Sequence, residues 1–506
     1  MTNKRRVLLT LVFIAIVTAL LGSVSAQRDA QQDSVQQDAL SFGAHQFSAG
    51  KPTELFMRHG GSTEIDMRRL PRTHPKKHER PEREDPETEH IELIRPNKEQ
   101  AEAVTPSVAP QSAPAPAPSA SFDGLDFATW GAGHPPDPNG DVGPVYYIQT
   151  INTSIGIFRK SDGARVAAFT FDTLMSQANF GGDVRATGNL GDPVVLYDTF
   201  EDRWIISDFA FSVDGSGSVV NPPGVFQVFA VSKTNDPVAG GWNFYSINTA
   251  GGLSDYPKLA IWPDGLYMSV NMFGYAAGAS FINPRAYALN KAQMYAGAPS
   301  VQVVSFNAPA ADFAVMPSNA RLQAGTPPPG TPNYYVSTWE FTNALTVYKF
   351  HVDWNHTSLS TFTGPDTPLA STAWPNASVA NAPSLGGNAL DVLQIRAMVQ
   401  NQYSNIGGVE SLWTCHTVRR QNTVGFAAPR WYQVNVTGGT VNANLPQAAT
   451  WDPDGANVIY RFMPSLAVDR MGDMAMGYTT SNSTTKPAIK YAGRLATDPV
   501  NTFSQT

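Results

Sequence analysis

A unit of short, apolar β-strands recurs along the chain from residue 121 onward and limits the folds that it can adopt. Each copy begins with a lead-in segment that contains Pro and an acidic or small residue. An Asp/Gly turn then separates its first strand from a stronger, aromatic strand. The clearest copies read GDPVVLYDTFEDRWIISDFAF, SDYPKLAIWPDGLYMSVNMF and MPSLAVDRMGDMAMGYTTS. About six such copies, spaced by about 60 to 80 residues, predict an all-β domain.

We predict that residues 121–506 form a β-propeller-like domain with six to seven blades. A unit of three or four antiparallel strands that cannot bury both of its faces must pack on its neighbours, and radial packing around an axis protects the strand edges. Two stacked β-sandwich domains are the alternative, because sandwiches also use short strands with regular turns. The turn at a fixed place inside each unit favours the propeller.

The N-terminus has the pattern of an export signal. A basic stretch, Lys4 to Arg6, precedes an apolar run from Val7 to Leu21, and Val24-Ser25-Ala26 offers a small-residue cleavage site. Residues 1–26 are therefore predicted to be a signal peptide, with an uncleaved membrane anchor as the alternative. The mature protein would be secreted or would reside in the periplasm or cell envelope, without a membrane span after cleavage.

Residues 27–120 differ in composition from the repeat domain. They include 27 charged residues among 94, whereas the 386 residues after position 120 include only 47. The stretch ends in the Pro/Ala tract PSVAPQSAPAPAPSA. Such a composition buries too little apolar surface to offset the entropy of ordering. Residues 27–120 are predicted to be a disordered leader and linker.

Charge and cysteine content exclude several classes of protein. The net charge of −7 and the pI of about 5.7 argue against binding to nucleic acid. A single cysteine, Cys415, excludes an intrachain disulfide framework and a cysteine-based zinc cluster. We interpret Cys415 as a buried structural thiol rather than a nucleophile, because it lies within an apolar strand pattern.

Four phrases together resemble a known family: GHPPDPNGDVGPVYYIQ, DPVVLYDTFEDRWIISDFAF, DYPKLAIWPDGLYMSVNMF and PSLAVDRMGDMAMGY. The chain resembles, over about residues 122–506, a family of large, exported, mostly bacterial and largely uncharacterised proteins with a sialidase-like propeller. The resemblance implies fold and export more than activity. It also implies one further repeat beyond Thr506. We therefore expect a propeller that lacks its closing C-terminal blade and leaves an unpaired edge between residues 134–158 and 463–494.

One loop offers a candidate calcium site. Asp137, Asn139 and Asp141 place oxygen-bearing side chains at alternate positions, and Ca²⁺ prefers such ligands. The alternative is an Asx-turn loop that positions the first strand. The metal prediction is thus a possible Ca²⁺ at these residues, and no other cofactor is expected. Further aspartates at the lead-in segments and turns are interpreted as residues that join strands; they are Asp192, Asp198, Asp255, Asp264 and Asp469.

The sequence identifies no catalytic residues. A sialidase needs an arginine cluster for the substrate carboxylate, and four arginines in or beside predicted strands could converge: Arg203, Arg285, Arg396 and Arg461. The domain is poor in Glu, however, and the segment from Ser465 to Gly472 has the residue types of an Asp-box at the wrong spacing.

The sequence matches none of the catalytic motifs considered, and our prediction of function rests mainly on this mismatch. We expect an exported propeller module that binds a carbohydrate or protein ligand without catalysis, and we consider an enzyme the less favoured class. The candidate ligand-binding residues are Trp262, Trp451, Arg203 and Arg285, the tryptophans because an indole at a loop tip can stack on a sugar ring. The alternative is a carbohydrate-active hydrolase or lyase of the sialidase-like type.

Overall fold

A computed structural model gives the fold, and it describes residues 47–77, 114–338, 345–368, 379, 381–394, 396–419, 426–453 and 459–504. The predicted signal peptide at 1–26 lies outside these residues, as does most of the predicted leader. The described residues from Ser48 onward belong to one compact unit.

Strands dominate the described residues. They are β1 (Phe47–Ser48), β2 (Thr53–Thr63), β3 (Asn139–Val142), β4 (Tyr146–Ile151), β5 (Ser154–Arg159), β6 (Arg165–Thr170), β7 (Asn189–Asp198), β8 (Arg203–Ala210), β9 (Phe226–Ser232), β10 (Trp242–Asn248), β11 (Leu253–Trp262), β12 (Gly265–Phe273), β13 (Phe281–Leu289), β14 (Ser300–Asn307), β15 (Met316–Asn319), β16 (Asn333–Thr338), β17 (Leu345–His351), β18 (Thr361–Asp366), β19 (Met398–Ile406), β20 (Val409–Arg419), β21 (Ala427–Asn435), β22 (Gln447–Thr450), β23 (Tyr460–Val468), β24 (Met474–Asn482) and β25 (Thr485–Arg494).

Helices are few and short. The α-helices are α1 (Phe127–Trp130), α2 (Phe171–Met175), α3 (Val184–Thr187) and α4 (Lys291–Tyr295), and 3-10 turns cover Met67–Arg69, Leu322–Ala324, Thr357–Leu359 and Thr437–Gly439. None of the helices in the described residues is long and apolar enough to cross a membrane.

Consecutive antiparallel strands form six blades of a β-propeller. The blades are β3–β6, β7–β10, β11–β14, β15–β18, β19–β22 and β23–β25, numbered 1 to 6 in chain order. The first strand of each blade lies innermost, and all six of these strands line one central cavity. The prediction of an all-β, propeller-like domain is confirmed, and the described residues form six blades.

Each blade has a residue in the left-handed region of backbone space within or shortly before its first strand. These residues are Asp137, Asp192, Tyr256, Ala314, Leu393 and Met463, all with φ between 39° and 55°. A proline follows four of the six, which explains the repeated lead-in segments of the sequence. The strand register shifts at this point in β7, β11 and β23. A bulge of this kind bends the strand and redirects its side chains.

The strand β2 lies inside the predicted leader but belongs to the propeller. It pairs in antiparallel fashion with β10 and with β14, so that blades 2 and 3 share one continuous sheet. Met57 of β2 is fully buried between these blades, and Met67 and Leu70 are buried between blades 1 and 2. The prediction of disorder across residues 27–120 is therefore wrong for the stretch from Ser48 to Lys77. The strand was not predicted because its neighbours in the sequence are charged and its pairing partners lie far along the chain.

Blade 6 has only three strands, and its last strand is an exposed edge. Side chains of β23 and β24 alternate between buried and exposed, and the buried set, which includes Leu466 and Met476, packs towards blade 5. Ile489 of β25 is 85% exposed. Within the described residues β25 pairs only with β24, just as the outermost strands β6 and β22 pair only with β5 and β21. The gap that we expected between residues 134–158 and 463–494 therefore stays a prediction.

Candidate active site

The axis of the propeller contains a cavity of about 400 Å³ that the innermost strands of all six blades line. We call the end where these strands begin the mouth, and the end where they finish the floor. At the floor, Arg321 Nη2 lies 2.7 Å from Asp141 Oδ2. Because Asp141 belongs to blade 1 and Arg321 follows the first strand of blade 4, this ion pair crosses the axis. The cavity is therefore bridged at its floor.

Three half-buried aspartates, one from each of blades 1 to 3, lie at the mouth, and we call Asp137, Asp192 and Asp255 the acidic mouth. The Asn152 amide joins the first two, because its Nδ2 donates to Asp137 Oδ2 at 2.6 Å and its Oδ1 accepts from the Asp192 N–H at 3.0 Å. Asp192 Oδ2 in turn accepts from the Tyr256 N–H at 3.1 Å. Hydrogen bonds of these side chains therefore hold the starts of the first three blades together.

Lys258 supplies a cation beside the acidic mouth. Its side chain is half-buried in the cavity wall, and its Nζ lies 3.4 Å from the centroid of the Tyr256 ring. Burial lowers the pKa of Lys258 from 10.5 to about 8, while the negative charges of the three mouth aspartates act in the opposite direction. Lys258 thus remains mostly protonated at neutral pH.

Tyr256 and Arg396 connect the mouth to blades 4 and 5. The Tyr256 hydroxyl donates to the Ala397 carbonyl at 3.4 Å, and the guanidinium carbon of buried Arg396 lies 5.0 Å from the Tyr256 ring centroid. The same guanidinium lies 5.2 Å from the Phe313 ring centroid. These contacts hold the Tyr256 ring in place for its cation–π contact with Lys258.

The arrangement suits general acid–base chemistry. Glycoside hydrolysis requires two carboxyl groups on either side of the scissile bond, one to protonate the leaving group and one to activate water or attack. The acidic mouth provides three carboxyl groups at the opening of a cavity. From the sequence, Asp192 and Asp255 are interpreted as strand-joining residues, and nothing in it singled out Tyr256 or Lys258. The signal that could have found them is their shared position, at or next to the proline of the lead-in segment.

Two of the candidate calcium residues bind the neighbouring blade rather than form a local Asx-turn. Asn139 Oδ1 accepts from the Val195 N–H and Asp141 Oδ2 from the Tyr197 N–H, both at 2.8 Å, so both side chains bind the backbone of β7. Across the described residues, no group of three His, Cys, Asp or Glu side chains is placed to hold a metal ion. Calcium binding at Asp137, Asn139 and Asp141 stays a prediction.

The two candidate tryptophans lie in the packing between blades. Trp262 is only 1% exposed; its indole donates to the Thr331 carbonyl at 3.0 Å and meets the Tyr403 ring edge-on. Trp451 is also buried, against Tyr478 and Phe503. Neither indole presents a face at the surface, so the expectation that they lie exposed at loop tips is wrong. Trp262 ends β11 and Trp451 directly follows β22, and both indoles pack in the apolar layer between blades.

The candidate arginines do not converge. Arg203 lies at the turn between β7 and β8 and donates to the Glu201 and Asp202 carbonyls. Arg285 lies on the third strand of blade 3 and donates to the Thr249 carbonyl at 2.8 Å. Arg461 packs against Trp451, so only Arg396 of the four reaches the mouth. The structure therefore contains no arginine cluster made of these four residues.

Cys415 is fully buried in blade 5, as predicted. Burial raises the pKa of its thiol far above the usual range, and its Sγ lies 3.5 Å from the Pro464 carbonyl oxygen. A thiol held in its protonated form is a poor nucleophile. The structure gives Cys415 a packing role.

The fold and the mouth together define a six-bladed β-propeller with an acidic cluster at one end of its axis. No family model and no curated protein matches the chain. Solved structures do match it. A GH43 endo-arabinanase from Bacillus licheniformis is 12% identical, with 70% of this chain and 93% of that chain covered and a TM-score of 0.26. An exo-1,5-α-L-arabinanase from a bovine ruminal metagenomic library is 9% identical, with 72% and 95% covered and a TM-score of 0.29.

A sialidase from Trypanosoma rangeli, solved in complex with sialic acid, is 8% identical, with 71% of this chain and 54% of that chain covered and a TM-score of 0.31. The names of these three proteins are those of glycoside-cleaving enzymes. This finding contradicts our predictions that the propeller is a non-catalytic binding module and that the protein is not an enzyme. Those predictions are therefore wrong, and the alternative of a carbohydrate-active enzyme remains as a proposal. At such low identity and TM-scores, no residue role is transferred from these proteins to this chain.

Proposed function

We propose that this protein is a carbohydrate-active hydrolase that cleaves glycosidic bonds at the acidic mouth. The observation that carries the proposal is the convergence of Asp137, Asp192 and Asp255, from three successive blades, around Lys258. Two of the three carboxyl groups would act as the acid and the base or nucleophile. The third would stay ionised and, with Lys258, set the charge of the site.

The charges at the mouth favour a neutral sugar as the substrate. Three aspartates face two cations, Lys258 and Arg396, so the site carries a small excess of negative charge when all five groups are ionised. An acidic sugar would be repelled by that excess, and an arginine cluster that could compensate is missing among the four arginines discussed above. We therefore expect neutral glycans rather than sialic or uronic acids.

Export belongs to the same proposal. An enzyme that acts on glycans outside the cell or in the cell envelope must cross a membrane, and residues 1–26 carry the pattern of a cleavable signal. The family resemblance supports the same location. Sequencing the N-terminus of the mature protein tests this part, with Gln27 expected as the first residue.

Activity assays on amide variants test the catalytic proposal. Each mouth aspartate is replaced in turn by Asn, which keeps an oxygen acceptor for the Asn152 and Tyr256 donors but removes the charge and the proton-transfer capacity. Loss of an acid or base lowers turnover about 10²- to 10⁴-fold. Asp162→Asn is the matched control, because Asp162 lies exposed at the β5–β6 hairpin, where it pairs with Arg159.

A panel of neutral aryl glycosides and polysaccharides serves as the substrate set. New reducing ends without an unsaturated sugar product indicate hydrolysis rather than elimination. We expect at least two of the three Asn variants to lose activity while Asp162→Asn retains it. Full activity in all three mouth variants, or no turnover of any substrate by the wild-type protein, would refute the proposal.

A further inference from the structure

The start of β7 is a bulge that sets the position of Asp192. The register of β7 against β8 shifts on both sides of Gly191, which has a φ of 138°, and Asp192 follows with a φ of 50°. A non-glycine residue in the left-handed region is strained, and such strain persists only where its surroundings hold it. The N–H groups of this bulge therefore need partners other than the β8 backbone.

Two side chains supply those partners. The Gly191 N–H donates to Asp208 Oδ1 at 2.9 Å, and the Asp192 N–H donates to Asn152 Oδ1 at 3.0 Å. The fit is close, because a Cβ atom on Gly191 would lie 2.6 Å from the same Asn152 oxygen. Asp208 on β8 and Asn152 after β4 thus hold the backbone of Asp192 from two sides.

Asp208 is an unusual residue for that task. Its exposed fraction is 0%, and its Oδ2 has no hydrogen-bond partner among the residues described. No Lys, Arg or His of the described chain forms an ion pair with it, and the nearby charged groups are two further acids, Asp192 and Asp172. An ionised carboxylate that is buried without a cation is strongly unfavourable, so the neutral acid is the stable form.

We propose that Asp208 is a neutral carboxylic acid at neutral pH and acts as a positioning residue that holds Asp192 in the acidic mouth. As a neutral group it can accept the Gly191 N–H without adding a fourth negative charge beside Asp192. Burial raises the pKa of Asp208 well above 3.8, and the charge of Asp192 adds to this rise, while the Gly191 and Phe209 N–H groups act in the opposite direction. Only the catalytic value of this positioning rests on the function proposed above.

An infrared measurement tests the neutral state without any substrate. The spectrum of the wild-type protein at pH 7 minus that of Asp208→Asn should show the C=O stretch of one protonated carboxyl group. A carboxylate band in its place would overturn the proposal. This result stands whether or not any glycan is cleaved, so a failure of the proposed function is distinguishable from a failure of this inference.

Turnover of the Asp208 variants tests the positioning role. Asp208→Asn keeps an acceptor for the Gly191 N–H and is neutral, so its kcat and pH profile should stay within about twofold of wild type. Asp208→Ala removes the acceptor, and we expect kcat to fall about 10-fold or more with a smaller change in KM, since small misplacements of reacting groups slow catalysis strongly. Ser207→Ala, a truncation on the same strand that leaves the Gly191 contact intact, is the matched control. Inactivity of Asp208→Asn, or an unchanged kcat in Asp208→Ala, would overturn the positioning role.

Discussion

Met57 offers the sharpest test of the strand that the N-terminal region contributes to the propeller. It lies on β2 opposite Val301 of β14, is fully buried, and belongs to the apolar core between blades 2 and 3. Replacement of a buried Met by Ala typically lowers the free energy of unfolding by about 2–5 kcal/mol, because it removes apolar contacts and leaves a cavity. We expect Met57→Ala to fall in this range.

The neighbouring residue provides the control. Phe56 lies on the other face of β2 and is 63% exposed, so Phe56→Ala should change the free energy of unfolding by no more than about 0.5 kcal/mol. Urea unfolding curves followed by tryptophan fluorescence measure both variants, with the midpoint and the slope compared to wild type. Equal effects of the two substitutions would mean that β2 is not docked between β10 and β14, and the reasoning would be refuted.

Two further predictions concern charge and metal. Burial lowers the pKa of Lys258 from 10.5 to about 8, so the folded protein holds this proton less tightly than the unfolded chain, and the free energy of unfolding should rise with pH between about 8 and 10.5. Lys258→Met should lose this gain. Urea midpoints of both proteins at pH 7 and pH 10 measure whether the wild-type protein gains stability relative to the variant. For the calcium loop, we expect added Ca²⁺ to raise the melting temperature, EDTA to reverse the increase and Asp137→Asn to abolish it. An unchanged melting temperature would mean that Asn139 and Asp141 serve to bind β7 instead.

The sequence predicts the blades well because each blade is a local unit. The lead-in prolines after Asp192, Tyr256 and Met463 mark the points where these inner strands bulge. The pattern of apolar residues in the strands that follow depends on residues close in sequence. The sequence does not predict β2, because its partners β10 and β14 belong to other blades and its own neighbours are charged. Strand pairing across such distances is not encoded in local composition.

The candidate site was harder to predict because its residues come from different blades of the propeller. Asp137, Asp192 and Asp255 meet only when three blades are placed around one axis, and no spacing between them in the sequence indicates that. Arg285 shows the converse error: it lies on the third strand of its blade, away from the axis, although its type suits substrate binding. The indole of Trp262 is similarly directed inward by its strand.

The position of β2 has a consequence for the order in which the chain assembles during synthesis. β2 is made before every strand of the six blades, yet its two partners are complete only at Asn248 and Asn307, the second of them twelve strands later. At translation rates of about 5–20 residues per second, this strand stays without its partners for a time on the order of tens of seconds. During that interval its N–H and C=O groups are open to pairing with other chains. Synthesis under crowded conditions should therefore be the stage at which this protein is most prone to aggregate, and a chaperone that holds extended segments should raise its yield.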